Sequence, residues 1–142
     1  MPSSNAAPPT GEPAEAGAKP MATFDDVRRL GMELPEVVES TSYGTPALKV
    51  RKKGFCRMWG EREHRRDQVF DTEVLVLFCD LEMKAVLLEN HPDALFTVPH
   101  YDGYGSVLVR LADVDLDDLA EWLEESYRTK APDTLLRQLD AG

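Results

Sequence analysis

The stretch of sequence that decides the fold is residues 73–79, which read EVLVLFC. The unbroken apolar run within it is typical of a strand that lies at the centre of a sheet or is covered on both faces. This run is also the longest apolar stretch of the chain, far short of the roughly 20 residues that a membrane-spanning helix requires. The sequence therefore predicts an interior strand and no membrane partner.

Two strands are predicted before this run, at residues 47–50 and 55–59. The four residues between them, Arg-Lys-Lys-Gly, predict a tight hairpin in which Gly54 is available for a positive φ. Residues 37–46 are rich in turn formers, so their first half is a candidate short strand and their centre a loop. A polar insert, residues 60–70, leads from this hairpin to the interior strand.

Helices are predicted on both sides of the interior strand. Apolar residues at helical spacing predict a first helix over residues 24–33, and Asp80 caps a second over residues 81–90. A third helix begins at Asp115, where an acidic side chain suits the positive end of the helix dipole. A short last helix is predicted over residues 132–139.

Two further strands, at residues 95–99 and 106–112, bring the predicted total to five. Strands that follow one another through short turns pair antiparallel. We therefore expect an α+β fold, a two-layer sandwich with a mostly antiparallel sheet and helices on one face, in the order α-β-β-β-α-β-β-α plus a terminal helix. The other face of the sheet would be solvated, or covered by a partner or a ligand.

A chain of 142 residues has room for one domain. Residues 21–142 form this predicted domain, with Met21 as a candidate native start. Residues 1–20 are mostly Pro, Ala, Gly and Ser, without the apolar segment or basic start of a signal peptide, so they predict a disordered tail. We accordingly expect a cytoplasmic protein.

Charge is distributed unevenly along the chain. The net charge is −10, which disfavours approach to nucleic acid or anionic lipid. Residues 49–66 nevertheless carry eight of the 16 basic residues, while residues 113–125 carry seven acids and no base. This pattern predicts a basic hairpin and an acidic helix on one dipolar molecule.

The basic segment is the first candidate site, for nucleic acid or another anion. Its arginines and lysines could contact phosphates, with Trp59 or Phe55 stacking on a base. Alternatively these charges protect a solvated strand edge or complement the acidic helix. The candidate residues are Lys49, Arg51, Lys52, Lys53, Arg57, Arg62, Arg65 and Arg66.

A second candidate site is a pocket around the loop after Pro99. This loop gathers polar, ring-bearing side chains that could bind a small anionic or aromatic ligand. Alternatively the tyrosines pack against the end of the sheet. The candidate pocket residues are Ser42, Tyr43, His100, Tyr101 and Tyr104.

No catalytic, metal or cofactor site is predicted. Ser42, His100 and Asp102 have the residue types of a hydrolase triad, but Ser42 lacks the strained GxSxG turn that exposes such a nucleophile. The histidines lack the short spacings that arrange metal ligands, and Cys56 and Cys79 lie far apart in apolar runs, as buried reduced thiols do. We therefore expect a non-enzymatic binding module.

Protein partners are a further alternative. The acidic run at residues 113–125 is either a solvated helix face or a docking surface for a basic partner. The uncovered sheet face could bind another protein, as a chaperone-like module does, or a second copy of this chain.

Three separated stretches resemble one family: residues 34–50, LPEVVESTSYGTPALKV; residues 99–111, PHYDGYGSVLVRL; and residues 124–132, EESYRTKAP. In this order they resemble the MmcQ/YjbR family over about residues 22–139. The resemblance implies a compact α+β sandwich and DNA binding, although fold alone does not fix function. The chain departs from the family pattern at Gly105-Ser106, where members often carry a proline and an aromatic residue, and in a longer basic insert at residues 62–66.

Overall fold

The structure, a computed structural model, describes residues 22–142. The predicted tail, residues 1–20, and Met21 lie outside these residues. The strands are β1 (Val37–Ser42), β2 (Thr45–Val50), β3 (Lys53–Met58), β4 (Val74–Phe78), β5 (Leu95–Phe96) and β6 (Ser106–Arg110). The helices are α1 (Phe24–Gly31), α2 (Glu61–Asp67), α3 (Leu81–Asn90), α4 (Leu116–Lys130) and α5 (Asp133–Ala141), with a 3-10 turn at Pro99–Tyr101.

The strands form one sheet in the order β1-β2-β3-β4-β6-β5, and every neighbouring pair is antiparallel. The strand predicted for the interior is β4, which is buried and pairs with β3 and β6. An α+β fold with an antiparallel sheet is thus confirmed. The predicted total of five strands is wrong by one, because residues 37–42 form a full edge strand that turns within two residues, Tyr43 and Gly44.

The main core lies between one face of the sheet and helices α1, α3 and α4. Leu75 and Leu77 of β4 point to this face, as do Val107 and Val109 of β6. Two hydrogen bonds fasten α4 to the rest of the fold, from Ser126 Oγ to the carbonyl of Phe55 (2.5 Å) and from Tyr127 Oη to the carbonyl of Pro35 (2.8 Å).

The opposite face of the sheet carries a second, smaller apolar cluster. Trp59, Val74, Val76 and Leu108 form it together with Tyr101 from the 3-10 turn. Helix α2 joins this face, with its His64 ring in edge contact with Trp59 at 5.3 Å between centroids. The prediction of helices on one face only is therefore wrong, because α2 and the 3-10 turn cover part of the other.

Helix α2 lies in the segment that the sequence predicted as a polar insert. None of its residues is fully buried, so it has no apolar stripe that a periodicity argument could detect. Its start is stabilised by Glu63, whose carboxylate accepts a hydrogen bond from the N–H of Gly60 at 2.8 Å. The element order is accordingly α-β-β-β-α-β-α-β-β-α-α.

The other predicted helices are present with small shifts at their ends. Asp80 caps α3, and its side chain accepts a hydrogen bond from the N–H of Met83 at 2.7 Å. Helix α1 ends at Gly31 instead of residue 33. Strand β5 has two residues instead of five, because Pro99 begins the 3-10 turn soon after it. No helix within residues 22–142 is long and apolar enough to cross a membrane.

The turn between β2 and β3 differs from the prediction. Arg51 and Lys52 adopt positive φ values of 49° and 71°, whereas Gly54 lies inside β3. Val50 pairs with Lys53, so the loop has two residues, and a two-residue loop with two positive φ values matches the twist of the strands. The glycine therefore does not serve the turn.

Replacing Lys52 by glycine is expected to raise the free energy of unfolding by about 0.5–1 kcal/mol. Lysine at a φ of 71° carries a steric cost of roughly 1–2 kcal/mol, which exceeds the extra chain entropy of glycine, about 0.5–1 kcal/mol. The matched control is Lys53→Gly, in extended backbone, which should lower the same free energy. Urea denaturation measures both, and a lower stability for Lys52→Gly than for Lys53→Gly would contradict the prediction.

Candidate functional site

A cleft of about 1550 Å³ opens at the end of the sheet where β4 ends and β6 begins. Helix α2, the β1–β2 turn and the loop from Pro99 to Gly105 surround it on the second sheet face, and α4 borders it on the other side. The cleft thus brings together four segments that are distant in the sequence.

The floor of the cleft holds a buried ion pair between Arg57 of β3 and Glu63 of α2. Two hydrogen bonds join the groups, from Arg57 Nη1 to Glu63 Oε1 at 3.0 Å and from Nη2 to Oε2 at 2.5 Å. Arg57 is only 8% exposed, and its Nη1 also donates to the carbonyl of Met58. Burial alone would raise the pKa of Glu63, but hydrogen bonds from Arg57 and from the N–H of Gly60 outweigh it and lower that pKa.

The hydroxyl of Tyr101 joins this ion pair to the 3-10 turn. It accepts hydrogen bonds from Arg57 Nη2 and from Trp59 Nε1, each at 3.3 Å, and donates to Glu63 Oε2 at 3.4 Å. All its hydrogen-bonding capacity is therefore used, which fixes the turn against the sheet.

Lys84 of α3 holds the same loop from the other side. Its Nζ donates to the carbonyls of Tyr101 at 2.7 Å and Tyr104 at 3.0 Å, and the residue is 6% exposed. Burial lowers the pKa of this ammonium group. Sequence reasoning missed Lys84, because a lysine in a helix that also carries Glu82 and Glu89 resembles a surface residue.

Three ring-bearing side chains stand exposed at the rim of the cleft: Tyr43, His100 and Tyr104. The His100 ring contacts those of Tyr101 and Tyr104 edge-on, with centroids 5.2 and 6.3 Å apart. Four of the five predicted pocket residues therefore line one cleft. Ser42 does not line it, and its carbonyl accepts a hydrogen bond from Thr45 Oγ1.

The basic residues predicted as one anion site fall into two separate groups. Lys49, Arg51, Lys52 and Lys53 lie at the β2–β3 turn, whereas Arg57, Arg62 and Arg66 line the cleft. Lys53 and Arg57 lie at opposite ends of β3, four residues and roughly 13 Å apart along the strand. Arg65 lies on α2 outside the cleft and pairs with Glu61.

Half of these eight side chains are in ion pairs. The pairs are Arg51–Glu36, Arg57–Glu63, Arg65–Glu61 and Arg66–Asp67. The other four make no ion pair within residues 22–142. Trp59 and Phe55 are 5% and 0% exposed, so the prediction that they stack on a base is wrong.

The remaining side chains of types that act in catalysis or bind metals do not form a cluster within residues 22–142. Ser42, His100 and Asp102 make no hydrogen bonds to one another within residues 22–142. In the same part of the chain, no group of three or more His, Cys, Asp or Glu side chains could hold a metal ion. Cys56 and Cys79 are free and buried, and burial raises their pKa values to about 12 and about 11.

The chain is similar to several known proteins. The model of the YjbR family matches residues 32–129. Uncharacterized protein Rv2570 of Mycobacterium tuberculosis and uncharacterized protein Mb2600 of Mycobacterium bovis are each 32% identical over 127 residues, which cover 82% of this chain and 95% of the relative. The crystal structure of Deinococcus radiodurans protein DR2400, with a DUF419 domain, is 28% identical, has a TM-score of 0.58 and covers 77% of this chain and 78% of that one.

The family match spans the β-sheet, α2, α3 and nearly all of α4, and therefore every residue that lines the cleft except Lys130. The motifs that suggested the resemblance, at residues 34–50, 99–111 and 124–132, supply the β1–β2 turn, the 3-10 turn and the end of α4. Because the family model matches most of the chain and the relatives are 32% identical to it, this chain belongs to the YjbR family.

Proposed function

We propose that the protein is a non-enzymatic binding module whose cleft takes a small anionic ligand. The observation that carries this proposal is the convergence of Arg57, Arg62 and Arg66 with the rings of Tyr43 and Tyr101 in one concave site. Ligand sites are concave and combine apolar or aromatic walls with a few convergent polar groups.

Local charge supports an anion over a cation. The residues that line the cleft include five cations, Arg57, Arg62, Arg66, Arg128 and Lys130, against four carboxylates, Glu61, Glu63, Asp80 and Glu125. Arg57 is paired with Glu63 inside the cleft, and Arg66 and Arg128 are paired with Asp67, Glu124 and Asp140 beside it. Arg62 and Lys130 are therefore the lining cations that make no ion pair within residues 22–142, and an anionic ligand would complement them.

Arg62 is the cation best placed to meet a ligand. It is exposed at the cleft and makes no ion pair within residues 22–142. Arg57 and Arg66 are held by Glu63 and Asp67. The four Nη–H donors of Arg57 are all used within the protein, so Arg57 shapes the site, whereas Arg66 is exposed and keeps a donor outside its ion pair.

Calorimetric titration with inorganic pyrophosphate tests this proposal with two arginines of the same helix. Arg62→Ala should weaken binding at least about fivefold, because a charge-assisted hydrogen bond to the anion is lost. Arg65→Ala removes the same charge outside the cleft and should leave the affinity within about twofold of the wild type. Equal losses in the two variants, or no binding by the wild type, would refute the cleft as an anion site.

A second candidate is weak, sequence-independent contact with nucleic acid at the β2–β3 turn. Lys49, Lys52 and Lys53 carry it, since none of them makes an ion pair within residues 22–142. Lysines that are not in ion pairs can contact DNA phosphates, and such contacts supply the salt-dependent part of DNA affinity. Titration of a DNA duplex at two salt concentrations tests this candidate. The double variant Lys52→Glu, Lys53→Glu should no longer bind the duplex, whereas Arg62→Ala should bind it as the wild type does.

A further inference from the structure

Tyr43 has features that packing does not explain. Its side chain is 90% exposed, more than any other large apolar or aromatic side chain within residues 22–142. It lies at the rim of the cleft. Its hydroxyl makes no hydrogen bond within the same residues. An aromatic ring in this position gains little from folding.

The backbone at Tyr43 is also unfavourable for its side chain. Its φ is 53°, and it forms a two-residue turn with Gly44, whose φ is 79°. Asparagine, aspartate and glycine are preferred in the first position of such a turn, because a larger side chain is strained at positive φ. A bulky residue kept in a strained conformation at the rim of a cleft points to a role in binding.

The Tyr43 ring is oriented even though it is exposed. The guanidinium of Arg57 lies over it, 5.2 Å from the ring centroid. Arg57 is itself held by Glu63 and by the carbonyl of Met58. A fixed cation therefore lies within cation–π distance of the ring, while the 90% exposure of Tyr43 leaves a face of the ring free for a ligand.

We infer that the ligand of the cleft carries a planar aromatic group, which stacks on the free face of Tyr43 while its anionic group meets Arg62. This inference rests on the proposed function. Stacking suits Tyr43, because its ring is already exposed at the cleft and a tyrosine side chain is rigid enough to lose little conformational entropy on binding. The ligand class is an aromatic phosphate or carboxylate of a size that the cleft accommodates.

Two phosphate esters with the same charge test this inference. 1-Naphthyl phosphate has a planar ring and cyclohexyl phosphate has a puckered one, so their difference in affinity reports stacking. The wild type should bind the naphthyl ester about tenfold more tightly, within the range of stacking on an aromatic side chain. Tyr43→Ala should bring the two affinities together.

Two further variants separate stacking from structure. Tyr43→Asn suits a positive φ, so it should raise the melting temperature by about 3 °C and still lose the preference for the naphthyl ester. Phe70→Ala removes another exposed ring, 64% exposed and outside the cleft, and should keep the preference.

The outcomes distinguish the inference from the proposal beneath it. If both esters bind equally and Arg62→Ala weakens both, the cleft binds anions and the stacking inference is wrong. If neither ester binds, the proposed function fails and the inference fails with it. If Tyr43→Ala keeps the naphthyl preference, another ring provides the stacking, and the role assigned to Tyr43 is wrong.

Discussion

Glu63→Ala is expected to lower the free energy of unfolding by about 3 kcal/mol, because it leaves the buried guanidinium of Arg57 without its counter-ion. The two groups share two hydrogen bonds, and their side chains are only 10% and 17% exposed. The substitution also removes an acceptor for the N–H of Gly60. Urea or thermal denaturation measures the loss.

Glu61→Ala is the matched control for this prediction. Glu61 lies in the same helix, but its side chain is 84% exposed and its nearest ion-pair atom, on Arg65, is 3.7 Å away. Exposed pairs of this kind contribute little, so its removal should leave stability nearly unchanged. Replacing both members of the buried pair, with Arg57→Met and Glu63→Leu, should recover at least half of the loss. Equal stability of Glu63→Ala and Glu61→Ala would show that the ion pair is not important.

The same carboxylate adds a pH dependence. The pKa of Glu63 is lowered in the folded state, so the folded protein holds fewer protons here than the unfolded chain does. Its contribution to stability is therefore present above the unfolded pKa of about 4.3 and is lost as the pH falls through the lowered pKa. The stability gap between the wild type and Glu63→Gln should accordingly shrink as the pH falls from 6 to 3.

The second large effect is expected at Gly105. A Cβ atom there would lie 2.7 Å from the carbonyl oxygen of Cys79, a backbone atom that cannot move aside without disturbing β4. Cys79 also donates its N–H to the carbonyl of Gly105 at 3.0 Å, so the two segments are already fixed against each other. Gly105→Ala should therefore lower the free energy of unfolding by about 2–3 kcal/mol and displace the loop that carries Tyr104.

Gly54→Ala is the control for the Gly105 substitution. Gly54 lies in β3, where an added Cβ would meet no atom within 4 Å. The change should be neutral or slightly stabilising, since alanine reduces the entropy of the unfolded chain. Thermal unfolding compares the two variants, and amide spectra of the 99–105 loop show whether Gly105→Ala moves it. If Gly105→Ala loses no more stability than Gly54→Ala, the close approach of Gly105 to the carbonyl of Cys79 is contradicted.

Much of the fold could be predicted because its signals are local. The apolar run in β4, the cap at Asp80 and the apolar spacing of α4 each need only a few neighbouring residues. The predictions were wrong where tertiary contacts determine whether a segment forms a helix or a strand. Helix α2 has no buried residue and is held through Glu63 and His64, whose partners on β3 and at Trp59 cannot be seen in its own sequence.

The candidate site was predicted in parts. The rings of Tyr43, His100, Tyr101 and Tyr104 were identified because polar aromatic residues are conspicuous in turn segments. The prediction that the basic residues form one site was less successful, because an extended strand moves the chain about 3.3 Å per residue and so carries Arg57 into the cleft, away from the lysines at the β2–β3 turn.

Glu63 and Lys84 were missed for a different reason. Each is a common charged residue in a helix, and its importance comes from burial against partners that lie 6 to 20 positions away in the sequence. A pattern based on periodicity assigns such residues to the solvent-facing side.

The two buried cysteines make local and global opening of this protein separately measurable. Cys56 lies in the central core, so a thiol reagent should modify it only when the whole domain unfolds. Cys79 lines the cleft beside Gly105, so opening of the loop alone would expose it. In the limit of fast reclosing, the modification rate of Cys79 relative to that of an exposed thiol gives the free energy that holds the binding loop shut, and the rate of Cys56 gives the free energy of global unfolding. A ligand that binds only the closed, folded state should slow the modification of both cysteines.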